Sequence, residues 1–276
     1  MNKQDFALSW YAVPTVQDWT NLTISTCKRV LLSFGLARSQ PGVLARLTGL
    51  NCRAVLRIEQ TNADSPSVIT DELRRLSLMI PIDAVIVGVE PDTGIDFTYT
   101  SPNWGQARAY AHRLRANDLM SAVMDAGLLA VAPAMTWPPE MISEDGALQP
   151  GRTTWREIVA GVYQRAAGVA SHCGYVLGWD GNAINAERFK FGLKRSCEEW
   201  HKPLWIDEAT FPTDDDVLQM KCAIELAAII MTSHSNDRVK LLCPFTSNGT
   251  PAGYWDPRFI IRDPKAYELL ARWLAS

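Results

Sequence analysis

One pattern constrains this chain more than any other. A short apolar run, a turn cluster and an amphipathic helical stretch follow one another eight times. The runs are Phe6–Val13, Arg29–Gly35, Cys52–Gln60, Asp83–Gly94, Gly127–Thr136, Gly174–Gly181, Pro203–Phe211 and Val239–Asn248. Each leads into a helical pattern, from "TVQDWTNLTIST" behind the first to "DPKAYELLARWLA" behind the last. Nearly continuous apolar runs mark strands covered on both faces. Strands alternating with helices imply parallel pairing through crossovers. Eight such units are the number that closes a (β/α)8 TIM barrel, so the expected architecture is a single α/β domain over residues 1–276. No G-x-G-x-x-G follows any run, which sets aside a dinucleotide-binding open sheet.

Composition enters only to exclude. With 47% hydrophobic and 21% charged residues the chain can build a large core. A formal charge of −3 and the lack of any basic run speak against nucleic acid or an anionic membrane as partner. The first residues carry no long apolar core of an export signal, and "CAIELAAIIM", with Glu225 inside it, is about half a membrane span. The expected setting is cytoplasmic, with release by lysis or association with a virus particle equally compatible. The six cysteines stand singly, which reads as reduced, buried thiols. Thr70-Asp71-Glu72, Thr213 to Asp216 and Asp263-Pro264 read as helix starts.

In a barrel of this kind the working residues stand at the C-terminal ends of the strands. The third run ends on Glu59-Gln60, the fourth on Glu90-Pro91-Asp92 and the sixth on Trp179-Asp180-Gly181-Asn182. The seventh ends on Asp207-Glu208 and the eighth on Thr246-Ser247-Asn248. His112 and His234 fall in helical patterns, and His172 and His201 precede the sixth and seventh runs, on the far face. A histidine metal site or triad is therefore not expected, and no lysine ends a strand. Glu90 and Glu208, on strands facing each other across the mouth, are the expected catalytic pair, since two carboxylates flanking a sugar are what glycoside hydrolysis needs. Strict alternation with Ile206 inward would turn Glu208 inward as well, and Trp205 and Asp207 toward the helices. Ten tryptophans are many, and aromatic faces suit sugar rings. Trp10, Trp137, Trp179 and Trp255 lie near strand ends or loops and are candidates for stacking. Glu59 and Asp180 are candidates for hydrogen-bonding a substrate, or equally for pairing with Arg57.

"GVEPD" around Glu90 and "LWIDEAT" around Glu208 resemble the two motifs of clan A of the glycoside hydrolases, a group of retaining (β/α)8 enzymes. "ARAYAHRLR" after Glu90 and the terminal "PKAYELLARWL" are similar to helices of that group. The resemblance implies a glycosidase that cleaves O-glycosidic bonds of an oligo- or polysaccharide with retention. Glu90 would be its acid/base and Glu208 its nucleophile, with no metal or organic cofactor. The chain departs from that pattern at Val89, where the family carries Asn. Either Asn182 or Asn248 takes over contact with the sugar, or the substrate differs, or the site is inactive. Trp179-Asp180 also stand where a strand-six tyrosine is usual. Two other readings stay open: a carbohydrate-binding barrel without activity, and a barrel enzyme holding Mg²⁺ through Glu59, Asp180 and Asp207 or Glu208.

Overall fold

A computed structural model describes residues 1–60, 62–88, 106–134, 152–174, 185–211, 213–233, 236–244 and 261–276. Its strands are β1 (Leu8–Trp10), β2 (Arg29–Ser33), β3 (Arg53–Ile58), β4 (Ile82–Val87), β5 (Ala130–Ala132), β6 (Gly168–Gly174), β7 (Leu204–Thr210) and β8 (Val239–Pro244). The helices are α1 (Val16–Ser25), α2 (Phe34–Ser39), α3 (Pro41–Gly49), α4 (Pro66–Ser77), α5 (Gln106–Asp125), α6 (Arg152–Arg165), α7 (Ala186–Trp200), α8 (Asp216–Met231) and α9 (Pro264–Ala275). The strands pair in sequential order, every pair parallel. A parallel bridge between Phe6 and Leu242, with the Ala7 N–H donating to the Leu242 carbonyl at 2.9 Å, joins the first strand to the last. The expected (β/α)8 barrel is the fold observed.

Side-chain alternation divides the apolar residues between two cores. Leu8, Trp10, Val30, Leu32, Ala54, Leu56, Val85 and Val87 point outward and meet the helices. Ala7, Leu31, Val55, Ala84, Ile86, Val131, Ala170, Trp205 and Leu241 fill the interior. Helix α4 shows how the outer layer forms: Ile69, Leu73 and Leu76 recur at helical spacing and are wholly buried. Each contributes about 1.5–3 kcal/mol of burial.

Helix starts follow cap chemistry, with one displacement. Asp215 caps α8, accepting from the Leu218 N–H at 2.9 Å, and Asp263 caps α9 with Pro264 in the first turn. Helix α4, however, begins at Pro66 behind a Ser65 cap, so Thr70 lies inside it and its hydroxyl donates to the Pro66 carbonyl at 2.9 Å. Ser65-Pro66 is the stronger start, since proline suits the first helical position.

Strand β6 corrects the sequence reading more substantially. It occupies Gly168–Gly174, so the run from Tyr175 to Gly181 lies beyond it and outside the described residues. Its first inward position is glycine because Trp205 fills the space beside it: a Cβ on Gly168 would stand 2.6 Å from the indole Nε1. A strand relieved of bulk in this way lacks the apolar run that marks its neighbours.

The N-terminal end of the barrel is closed by charge. Asp83 receives the Arg29 Nε–H at 2.7 Å and the Arg53 Nε–H at 2.6 Å. Arg29 also reaches Asp5 at 3.1 Å and the Lys240 carbonyl at 2.9 Å. The register between β3 and β4 shifts at Ala54/Val55, where one strand residue, Asp83, is passed over in the pairing. Among the described residues, five cysteines (Cys27, Cys52, Cys197, Cys222, Cys243) are free and buried, as expected. No described helix is long and apolar enough to cross a membrane.

Candidate active site

Toward the C-terminal half of the strands the interior changes from apolar to polar. Arg57, on β3, follows Val55 into the barrel by alternation and is buried. A lone arginine in an apolar strand requires an acid partner, because an unpaired buried charge is too costly to keep. That partner is Glu208, 151 residues away, whose Oε1 accepts from the guanidinium at 2.7 Å. Asp207 Oδ2 stands 3.5 Å from the same nitrogen.

Both acids face the interior because β7 is bulged. Ser171 pairs with Ile206 and His172 with Glu208, so β7 carries an extra residue at Asp207. Against β8, Ile206 pairs with Leu242 and Ala209 with Pro244. Alternation therefore runs Trp205 in, Ile206 out, Asp207 in; the bulge then keeps Glu208 in, and Ala209 resumes the outer layer. The expected inward Ile206 and outward Trp205 and Asp207 are corrected by this geometry. Glu208 is inward as expected, by a different cause. The two acids are 4% and 1% exposed for Glu208 and Asp207, so both count as interior groups.

His172, expected on the far face, is brought to the same cluster by the true position of β6. Its Nε2 lies 3.6 Å from Asp207 Oδ2 and its Nδ1 3.7 Å from Glu208 Oε2. Tyr11, just past β1, lies under Arg57, with the guanidinium carbon 4.2 Å from the ring centroid. Burial pushes the Tyr11 hydroxyl well above the ordinary phenol value. Burial alone would lower the Arg57 pKa, but Tyr11, Glu208 and Asp207 raise it, so the guanidinium stays charged. Arg57 Nε and Asp207 Oδ1 are buried and find no hydrogen-bond partner among the described residues.

Of the residues expected to contact substrate, Trp10 is corrected. It is 1% exposed in the outer layer, edge-on to Trp19 of α1 at 4.9 Å between ring centroids, and cannot offer a face to a sugar. Alternation gives the inward place to its neighbour Tyr11. Glu59 is half-buried just past β3, and Arg57 pairs with Glu208. Glu90, Trp137, Trp179, Asp180, Asn182, Asn248 and Trp255 lie outside the described residues. The described chain approaches Glu90 through Gly88, whose φ of 114° is one that a side chain would strain. Arg57, Tyr11 and His172 are the members of this cluster that a reading of strand ends passes over, while Asp207 is named by it but turned toward the helices. The arginine in "RAVLRIE" was the available signal for the first.

No protein-family model matches the chain, and no curated protein matches it. Solved structures are similar along its whole length. The Ignisphaera aggregans GH53 catalytic domain is 10% identical with a TM-score of 0.60, over 96% of this chain and 91% of that one. A GH5_18 protein carrying an E140A change, from Bifidobacterium longum and in complex with Manβ1-4GlcNAc, is 9% identical with a TM-score of 0.59, over 98% and 78%. A GH128 oligosaccharide-binding protein from Trichoderma gamsii is 12% identical with a TM-score of 0.57, over 99% and 95%. The chain shares the (β/α)8 barrel fold of these structures.

Proposed function

We propose that this protein is a glycosidase that cleaves an O-glycosidic bond of an oligo- or polysaccharide with retention, Glu208 acting as nucleophile and Glu90 as acid/base. The observation that carries the reading is the buried Arg57–Glu208 pair, turned into the barrel by the bulge of β7. A carboxylate hydrogen-bonded to a permanent cation is fixed in direction, as a nucleophile must be. Arg57 engages Oε1, and Oε2, 3.7 Å from His172 Nδ1, is the oxygen assigned to the attack.

The reaction then has two steps. Glu90 gives its proton to the departing glycosidic oxygen while Glu208 Oε2 attacks the anomeric carbon, forming a glycosyl ester. Glu90, now a carboxylate, takes a proton from water as that water displaces Glu208. Substrate contacts are assigned to Glu59, Trp137, Trp179, Asp180, Asn182, Asn248 and Trp255, which the sequence places at strand ends or in the loops after them. No metal or organic cofactor enters either step.

A panel of chromogenic glycosides, followed by trapping with a fluorosugar and mass mapping of the labelled peptide, tests this reading. Label on Glu208 supports it; turnover with label elsewhere, or with inversion, ends it. A second reading, a carbohydrate-binding barrel without catalysis, is favoured by Val89 in place of the family's Asn. It is also favoured by the likeness to a solved structure described as an oligosaccharide-binding protein. Saturable binding of oligosaccharides with no turnover across the panel selects it.

A further inference from the structure

Behind the barrel wall, on the helix side, lies a buried polar pair that none of the chemistry above uses. Gln60 stands just past β3 at 3% exposure, and His112, on α5, is wholly buried. Gln60 Nε2 donates to the carbonyl of Val87, the last residue of β4, at 3.2 Å. With its nitrogen so engaged, Gln60 turns Oε1 toward His112 Nδ1 at 2.7 Å. That contact requires the hydrogen on Nδ1. Burial keeps the imidazole neutral, with its pKa lowered to about 3. The ring sits edge-on to Tyr163 of α6, whose hydroxyl donates to the Pro133 carbonyl just past β5 at 3.0 Å. The exits of three consecutive strands are thus tied together from behind.

Apolar side chains would fill this space at lower desolvation cost, so the polar pair calls for a reason. The next residue supplies one. Gly88 follows Val87 at φ 114°, and glycine by itself holds no direction. We propose that Gln60 and His112 are positioning residues that fix the Val87 carbonyl, and with it the exit of β4 that leads to Glu90 three residues on. The proposal rests on Glu90 being the acid/base.

Three variants test it: Gln60→Leu, His112→Leu and His112→Asn, the last placing an amide N–H where Nδ1–H had been. Both leucine variants are expected to lower kcat on a good glycoside about 10- to 100-fold, with KM changed by less than about twofold. In both, the midpoint of the Glu90 carboxyl titration, read by NMR on ¹³C-glutamate-labelled protein, moves by at least about half a pH unit. His112→Asn restores kcat and the midpoint. A packing role predicts the opposite order, with Leu tolerated better than Asn. That order, or an unmoved Glu90 titration in both leucine variants, overturns the proposal. Should a leucine variant fail to fold, Gln60→Glu, isosteric and lacking the N–H toward Val87, carries the same two readouts. The NMR measurement needs no turnover, so a protein that cleaves no glycoside yet shifts Glu90 keeps the positioning role and loses the hydrolase reading.

Discussion

The barrel holds a charged cluster at each end, and the two are built to different rules. At the N-terminal end Arg29 and Arg53 meet Asp5 and Asp83, two charges against two, with Asp83 accepting from both arginines. At the C-terminal end one arginine, Arg57, faces two carboxylates, and Asp207 Oδ1 has no partner among the described residues. A register shift places an acid in each cluster, Asp83 below and Asp207-Glu208 above. The lower cluster is saturated and serves stability. In the upper one, two buried polar atoms, Arg57 Nε and Asp207 Oδ1, find no hydrogen-bond partner among the described residues.

Substitutions at the two ends should therefore differ in kind. Glu208→Ala should lower turnover by at least about 10³-fold, while Asp83→Ala leaves kcat/KM within about twofold at temperatures where it is folded. A tenfold loss in Asp83→Ala would break the division. Arg57→Leu strands two buried acids and should destabilise by about 3–5 kcal/mol, read from urea midpoints. The sharpest contrast is one of sign. Asp83→Asn should cost about 2–4 kcal/mol by weakening a complete network. Asp207→Asn, which removes surplus negative charge, should stabilise by about 0.5–2 kcal/mol. If both variants lose stability, the upper cluster is no less satisfied than the lower.

Acid should loosen the upper end through His112. The native imidazole, with its pKa at about 3, stays neutral where the unfolded chain, near 6.5, takes up a proton. Below pH 6.5 the unfolded state binds more protons, so stability falls toward pH 3 by about 1.4 kcal/mol per pH unit. His112→Asn should flatten that slope in urea midpoints taken across pH 4–7. The smallest effect belongs to Arg53→Ala, whose side chain is 61% exposed; about 0.5 kcal/mol is expected.

The barrel was legible because its signals are local: an apolar run, a cap and a helical period, repeated. Where β6 was misplaced, tertiary contact had removed the local signal, since Trp205 fills the volume that larger residues on β6 would have marked. Trp10 reads as a sugar-stacking candidate from its position near a strand end, yet one step of alternation turns it to the helices and gives the inward place to Tyr11. Glu208 is named as a candidate from its strand end and its family-like motif. Its partner Arg57 lies 151 residues away, and no local pattern announces such a pair. Asp207 was turned the wrong way because alternation assumes an unbroken ladder, which the bulge interrupts.

That interruption has a consequence for how the doublet of acids could arise or be lost. With one residue fewer between Ile206 and Ala209, β7 would lose this bulge, and just one acid could face the hollow. An exchange such as Asp207→Asn removes one charge yet leaves both positions facing the hollow; shortening the chain turns one of them away. A deletion scan across Asp207 and Glu208 would show whether the hollow tolerates a lone carboxylate. The spacing of the backbone sets how many positions of β7 meet the hollow, and the choice of side chain sets only what those positions carry.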